Sequence, residues 1–175
     1  MKNMFKYVAV MAMAVALTGL TACEPEPEPA PDPTPDVNPF TESAVYAFHY
    51  DGRILKAGDT VVYNLTDADL QHEEAKVDFV VENKSAETQS SVLKIEKVKG
   101  PDSMNSIFFC HGTCNEVTCP HTTSAFQLEP GLDPMAISIE FYPTERTGVS
   151  ATYSLTVGKG RNLDEPQVVF VTFNL

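Results

Sequence analysis

The sequence predicts an all-β domain, an antiparallel sandwich or barrel of about seven to nine strands. Short runs of alternating apolar and polar residues fill most of the chain after residue 38, and this alternation is the period of a half-buried strand. Gly, Pro, Asn, Asp and Ser residues separate the runs, and these residues favour tight turns. Helical periodicity is scarce. These features predict short strands joined by turns rather than alternating strands and helices.

The first half of this domain begins with a predicted hairpin. In AVYAFHYDGRIL the Asp51-Gly52 pair interrupts an alternating run, and Asp-Gly is a strong hairpin signal. DTVVYNL, AKVDFVVEN and SSVLKIEKVKG then predict three further strands. Between them, Thr66 to Lys76 predicts a helical turn or two, because Thr66 can act as N-cap and acidic residues follow it.

The second half of the domain continues the pattern of short strands. MNSIFFC predicts a strand that leads into a group of cysteines. MAISIEFYP alternates strictly, which places Ser138 and Glu140 on one face and Ile137 and Ile139 on the other. SATYSLTVG and PQVVFVTFNL predict the last two strands, and GKGRN between them predicts a hairpin tip.

Residues 1–22 have the features of an export signal. Lys2 and Lys6 precede an uncharged apolar run of 14 residues, which is shorter than the ~20 residues of a membrane-spanning helix. The run ends in LTAC, which resembles the lipobox of bacterial lipoproteins. The resemblance implies cleavage before Cys23, diacylglycerol on its sulfur and a further acyl chain such as palmitate on the new N-terminus. The alternative is an ordinary secretory signal peptide with a chance cysteine.

Residues 23–38 are predicted to be a disordered, acidic, Pro-rich stalk. Proline occupies every second position from Pro25 to Pro35, which prevents helix and sheet and favours an extended spacer of ~3.1 Å per residue. An acidic segment after an acylated cysteine resembles the surface-export signal of Bacteroidetes lipoproteins, although prolines interrupt the acids here. Several acyl chains on Cys23 give stable attachment, so we expect the protein to be anchored in the outer membrane. The sequence leaves two alternatives for the side it faces, the cell surface and the periplasm.

Charge and motifs limit the class of function. The chain carries a net charge of −12, and without Lys2 and Lys6 it has ten basic against 24 acidic residues, or −14. Such a protein repels nucleic acid and anionic lipid, so we expect no nucleic-acid partner and membrane contact only through Cys23. The sequence has no phosphate-binding loop, nucleophile elbow or His-Glu-x-x-His motif. We therefore expect a protein that is not an enzyme.

Several motifs of the predicted domain, residues 39–175, resemble an immunoglobulin-like β-sandwich module of Bacteroidetes surface and secreted proteins. They are YDGRILKAGDTVVY, FFCHGTC, MAISIEFYPTERTGVSATYSLTVGKGRN and VVFVTF, and the resemblance covers most of residues 45–174. It implies an immunoglobulin-like sandwich behind the stalk and a place in the cell envelope, and many such modules have no assigned activity. The family pattern has an aromatic residue where this chain has His111, and Cys119 is an additional cysteine.

Cys110, Cys114 and Cys119 lie within ten residues, and an exported chain meets an oxidising compartment in which disulfides form. In an extended strand the Cα atoms of Cys110 and Cys114 would be roughly 13 Å apart, and a disulfide tolerates ~7 Å. A bond between them therefore needs a turn, which Gly112 permits. The resemblance favours this pairing, with Cys119 free or available to another chain. Pairings of Cys119 with either of the other two remain open.

The same segment offers a metal site as an alternative. Cys110, Cys114, Cys119 and His121 are residue types that bind Zn or Cu. Four ligands within twelve residues are more crowded than in the usual structural zinc site. The Cys-x-x-Cys spacing of thioredoxin-like redox centres is absent. Apart from this alternative we expect no cofactor.

These observations predict a non-enzymatic binding or structural module that contacts another protein of the outer membrane or cell surface. The free edges of a sandwich suit the addition of a strand by such a partner. Metal binding through the Cys/His cluster and accessory glycan binding are the alternatives. Glycan binding is the weaker one, because the chain has no Trp and its Phe and Tyr residues mostly occupy alternating strand positions expected in the core.

Overall fold

The structure, a computed structural model, describes residues 39–175. The segments 1–22 and 23–38, with Cys23, lie outside the described residues, so their assignments stay predictions. The described part forms the following elements in chain order: β1 (Tyr46–Tyr50), β2 (Arg53–Leu55), β3 (Thr60–Asn64), α1 (Asp67–His72), β4 (Ala75–Asn83), β5 (Gln89–Lys99), a 3₁₀ turn (Asp102–Met104), β6 (Ser106–His111), β7 (Thr113–Thr118), β8 (His121–Thr122), β9 (Phe126–Leu128), β10 (Gly131–Leu132), β11 (Ile137–Phe141), β12 (Ser150–Lys159) and β13 (Asp164–Asn174).

These strands form two sheets. The first has the spatial order β2-β1-β4-β11-β6-β7 with β10 beside β4, and the second has the order β3-β13-β12-β5-β8 with β9 beside β5. Nine of the thirteen strands in residues 39–175 have five residues or more. The predicted fold class, an all-β, immunoglobulin-like sandwich, is confirmed. One pairing differs from the antiparallel expectation: β3 runs parallel to β13, because the chain crosses between the sheets after β2 and does not return by a hairpin.

The core lies between the two sheets and consists of alternate residues from both. The first sheet contributes apolar side chains that are at most 3% exposed: Phe48, Val77, Phe79, Val81, Ile107, Phe109, Ile137 and Ile139. The second sheet contributes a matching set, all 0% exposed: Leu93, Ile95, Tyr153, Leu155, Val157, Val169, Val171 and Phe173. Burial of each large apolar side chain contributes about 1.5–3 kcal/mol, so this alternation drives the two sheets together.

Two local predictions are confirmed by backbone geometry. Asp51 and Gly52 both have positive φ, 49° and 71°, as a two-residue type I′ hairpin turn requires. In α1, Thr66 accepts a hydrogen bond from the backbone N–H of Asp69 and donates its own N–H to the Asp69 carboxylate, which forms a capping box. The six residues of the helix make the turn or two that the sequence predicts, and Glu73, with a left-handed φ of 52°, ends it.

The β6–β7 hairpin positions the cysteines. Gly112 forms its tip with a φ of 76°, the left-handed conformation that favours glycine. β6 lies between β11 and β7, whereas β7 is the last strand of the first sheet. The hairpin therefore presents one face to the space between the sheets, one face to the outside and an open edge along β7.

Candidate functional site

The two faces of the β6–β7 hairpin carry different chemistry. The register pairs Phe108 with Glu116 and Cys110 with Cys114 on the outer face. On the inner face, alternate residues of the hairpin line a cleft against the segment that follows β7: Phe109, His111, Thr113, Asn115 and Val117. Because side chains alternate along a strand, the side chains of Cys110 and His111 point to opposite sides of the sheet.

On the outer face, Cys110 and Cys114 form a disulfide with a Cα–Cα distance of 4.0 Å. This is the favoured pairing of the sequence analysis. The two cysteines differ in exposure, since Cys110 is 5% exposed and Cys114 is exposed. The short Cα spacing is that of a non-hydrogen-bonded antiparallel pair (about 4.5 Å) and not of a hydrogen-bonded pair (about 5.5 Å). The backbone N–H and C=O of Cys114 therefore point away from β6.

Glu140 on β11 lies beside this disulfide. Its Oε1 is 3.4 Å from Cys110 Sγ, and one of its oxygens and both sulfurs lie within 4.8 Å of one another. Although alternation places Glu140 on the outer face, the residue is only 4% exposed. The carboxylate is thus held in a fixed position against sulfur rather than in free solvent.

Polar contacts from two sides fix the Glu140 carboxylate. Lys76 Nζ lies 3.4 Å from Oε1 and 3.4 Å from the carboxylate of Asp78, and Asp78 accepts a short hydrogen bond from the Ser138 hydroxyl. Partial burial alone would lower the pKa of Lys76, but the negative charges of Asp78 and Glu140 outweigh it and raise that pKa. The ammonium therefore stays charged and compensates the buried carboxylate.

Tyr142 completes the outer-face network. Its hydroxyl donates a hydrogen bond of 2.9 Å to Glu140 Oε2, and this bond raises the pKa of Tyr142. The ring packs edge-on against Phe108 with a centroid distance of 4.8 Å. Both oxygens of Glu140 are thus engaged, one by Lys76 and the other by the phenol.

On the inner face, His111 and Asp133 form a buried pair. His111 Nε2 lies 2.9 Å from Asp133 Oδ2, and the two side chains are 9% and 4% exposed. Asp133 Oδ1 also accepts the backbone N–H of Met135 at 2.9 Å. The ring of Phe126 on β9 lies 4.4 Å from the imidazole, centre to centre. These contacts lock His111 in the wall of the cleft.

The rest of the cleft is built from the segment that follows β7. The cleft has a volume of about 420 Å³ and is lined on this side by the following residues: His121, Thr122, Thr123, Ser124, Ala125 and Phe126. His121 packs edge-on against Phe109 with a centroid distance of 6.1 Å. Thr123 accepts the backbone N–H of Leu93 on β5, which ties this segment to the second sheet. The cleft is therefore lined by imidazole and hydroxyl groups and by the aromatic rings of Phe109 and Phe126.

The structure does not assemble the four ligands of the metal alternative. Cys110 and Cys114 are joined in a disulfide, and within residues 39–175 they cluster with Glu140 and not with Cys119 and His121. Cys119 forms no disulfide and is half-buried. It packs against the core, and burial raises the pKa of its thiol, which lowers its thiolate fraction and its reactivity.

Sequence reasoning missed the partners of the cysteines and histidines. Alternation predicts that Ser138 and Glu140 share one face of their strand, but nothing in the sequence places Glu140 next to Cys110, which is 30 residues away. His111 was assigned no role, whereas it pairs with Asp133. A departure from the family pattern, histidine in place of an aromatic residue after the first cysteine, was the available signal at His111.

β7 is an open edge. Within residues 39–175 it pairs only with β6, and five of its six residues are exposed, with Val117 the buried one. None of the helices in this part of the chain is long and apolar enough to cross a membrane. The accessible features of the hairpin are therefore an unpaired strand edge, a cleft on one side of it and a disulfide on the other.

Comparison with known proteins yields a fold and no family. No family model and no curated protein matches the chain. Among solved structures, the N-terminal domain of PorA aligns with a TM-score of 0.55 and 17% identity, over 74% of this chain and 96% of that domain. A PapD-like domain of human CEP192 aligns less well, with a TM-score of 0.41 and 12% identity over 83% of this chain and 96% of that one. The CooA pilin subunit from enterotoxigenic Escherichia coli aligns with a TM-score of 0.37 and 16% identity over 75% of this chain and 98% of that one. At such identities the likeness shows the β-sandwich fold alone.

Proposed function

We propose that the chain is a non-enzymatic binding module of the cell envelope, tethered through an acylated Cys23, that takes an extended segment of a partner protein as an added strand beside β7. The single observation that carries this proposal is the open edge of β7, which has only β6 as a partner within residues 39–175. An unpaired edge offers a row of backbone donors and acceptors to another chain.

The backbone groups that would hold the added strand can be named. Because the Cys110–Cys114 pair has non-hydrogen-bonded spacing, the N–H and C=O of Cys114 point to the open side of β7. The pattern repeats every second residue, so Glu116 also directs its N–H and C=O outward. These groups lie at the middle of the strand, where a docked segment would form its first hydrogen bonds.

Charge and the cleft define the partner's chemistry. Glu116 is exposed on β7, and the chain as a whole carries a charge of −12. A partner segment with Lys or Arg opposite Glu116 gains from a cross-strand ion pair and from long-range attraction. On the inner side, the cleft beside Asn115 can accept alternate polar side chains of the same segment. The occupant is therefore an extended, basic segment of an envelope protein.

The test combines a backbone variant with a matched side-chain control. Glu116→Pro removes one outward N–H and leaves the β6 ladder intact, whereas Glu116→Ala keeps that N–H and loses only the carboxylate. Photo-crosslinking residues placed singly at Thr113 and Asn115 of the full chain in its native cells should label one partner at two sites two residues apart, as an added strand requires. A crosslinker at Val62, which is 55% exposed on the other sheet, is the positional control.

We expect Glu116→Pro to abolish the adducts and Glu116→Ala to retain most of them. Adducts that survive Glu116→Pro, or that fall at unrelated sites of the partner, would contradict strand addition. Equal labelling from Val62 would also contradict it, because β7 would then have no special role.

A further inference from the structure

We propose that the Cys110–Cys114 bond is a thiol–disulfide exchange site, in which an incoming thiolate attacks Cys114 and Glu140 carries the proton of Cys110. The inference goes beyond partner binding and does not depend on it, because it concerns the outer face of the hairpin. Its substrates are thiol compounds, either small thiols or exposed cysteines of a polypeptide. Three features of the outer face support it.

The first feature is the unequal exposure of the two sulfur-bearing residues. Cys114 is exposed on the open-edge strand, while Cys110 is 5% exposed. An external thiolate can therefore reach Cys114 and not Cys110. Exchange needs one accessible sulfur for attack and a second, protected sulfur as leaving group and later as resolving nucleophile.

The second feature is the position of Glu140. Its Oε1 lies 3.4 Å from Cys110 Sγ, so that a thiol proton could pass directly between the sulfur and the carboxylate. Glu140 is 4% exposed, so bulk water has little access to Cys110 as a competing proton donor or acceptor. A buried acid–base group within hydrogen-bonding reach is what proton transfer in a sheltered site needs.

The third feature is the support around Glu140. Lys76 contacts Oε1 at 3.4 Å, and the Tyr142 hydroxyl donates to Oε2 at 2.9 Å. These contacts hold the carboxylate in place while its charge changes. The ammonium also offsets the negative charge that returns to the carboxylate when Cys110 takes up its proton.

The electron and proton balance is complete with a dithiol substrate as reductant. The first substrate thiol loses its proton to solvent, and the Glu140 carboxylate takes up one proton from solvent. The substrate thiolate bonds to Cys114 Sγ, the S–S bond breaks, and Cys110 leaves with the electron pair and receives that proton from Glu140, which becomes a carboxylate again. The second substrate thiolate then displaces Cys114, which is released as a thiolate and takes its proton from solvent. The substrate ends as a disulfide and the protein as a dithiol. In the reverse direction Glu140 accepts the Cys110 proton as Cys110 attacks the mixed disulfide.

The kinetic test compares two glutamine variants of the detergent-solubilised full chain in a Cys119→Ala background. Glu140→Gln keeps the size of the side chain and removes the proton carrier, and Glu87→Gln removes an equal charge from an exposed position between β4 and β5. Oxidised protein is mixed with glutathione, quenched with acid and alkylated, and the Cys110–Cys114 state is read by peptide mass spectrometry over a range of pH.

We expect Glu140→Gln to slow reduction at least about 10-fold and to change the pH profile of the rate, while Glu87→Gln reacts like the parent chain. A Glu140→Gln variant that reacts as fast or faster would overturn the proposal. In that case the carboxylate would act only by repelling the thiolate, and its removal would help the reaction.

A second measurement tests which sulfur is attacked, and it does not need the Glu140 variants to fold. In Cys110→Ser the remaining Cys114 should form a mixed disulfide with oxidised glutathione, and in Cys114→Ser the buried Cys110 should form it at least about 10-fold more slowly. Equal rates, or faster modification of Cys110, would overturn the assignment of Cys114 as the attacked residue.

Discussion

Removal of the His111 side chain should destabilise the domain strongly, because it leaves a buried carboxylate without its main partner. Asp133 is 4% exposed at its side chain and accepts from His111 at 2.9 Å. Removal of the hydrogen-bond donor from a buried charged acceptor costs about 3 kcal/mol or more. Since Met135 still donates to the other oxygen of Asp133, we expect the lower end of that range. Loss of the ring contact with Phe126 adds about 0.5–1 kcal/mol. The expected cost of His111→Ala is therefore about 3.5 kcal/mol.

Matched variants separate the contribution of the His111–Asp133 pair to the free energy of unfolding from that of the surrounding residues. Asp133→Asn keeps an oxygen acceptor for one of the two donors and should cost about 1 kcal/mol. The double variant His111→Ala with Asp133→Ala should cost less than the sum of its single changes by about 2 kcal/mol, because no buried carboxylate is left unpaired. Urea unfolding of the full chain, followed by far-UV circular dichroism because the chain has no Trp, gives each free energy by linear extrapolation. A cost of His111→Ala below about 1 kcal/mol, or additive single changes, would refute the role assigned to the pair.

Three further changes have expected outcomes. Cys23→Ser should move the protein from the membrane fraction to the soluble fraction and remove the acyl mass from its N-terminus; a variant that stays in the membrane would contradict the anchor. Tyr153→Phe should lower the free energy of unfolding by about 1–2 kcal/mol, because the buried hydroxyl donates to the Met104 carbonyl at 2.6 Å; no loss in urea would show that the bond contributes nothing. Slight burial would raise the pKa of Asp69, but hydrogen bonds from Thr66 and Tyr63 outweigh it and lower that pKa. The stabilisation by ionised Asp69 is therefore present above the ordinary carboxyl pKa and lost as pH falls through the folded pKa. In Asp69→Asn the free energy of unfolding should fall less steeply with acid below about pH 4. An unchanged slope would argue against the cap.

The sequence predicted what depends on neighbouring residues. Alternation identified the strands, because a side chain's face depends only on its parity along the strand. Asp51-Gly52 and Thr66 were identifiable because a type I′ turn and an N-cap each require particular residue types at fixed local positions. These predictions needed no knowledge of which strand lies beside which.

Strand order and its consequences were beyond the sequence. The parallel β3–β13 pair joins Thr60 to Phe170, and no local signal specifies a partner so distant. The same limit hid the contact of Glu140 with Cys110, which exists because β11 and β6 are neighbours and Ser138 pairs with Cys110. A one-residue shift of this register would place Glu140 on the opposite face from the sulfur. The chemistry of the site is therefore a property of register rather than of composition.

The disulfide and the open edge meet in β7, and this has an energetic consequence. A loop closed over so few residues contributes only about 2 kcal/mol by chain entropy, so the bond matters most where other support is weak. β7 is such a place, since Val117 is its one buried residue and β6 its one partner within the described chain. Reduction should therefore loosen β7 more than the core, and a strand docked on β7 should order it. If docking favours the oxidised hairpin, linkage requires that the disulfide favour docking by the same factor. Measurement of partner affinity with oxidised protein and with the Cys110→Ala, Cys114→Ala double variant would then give equal affinities only if β7 stays ordered without the bond.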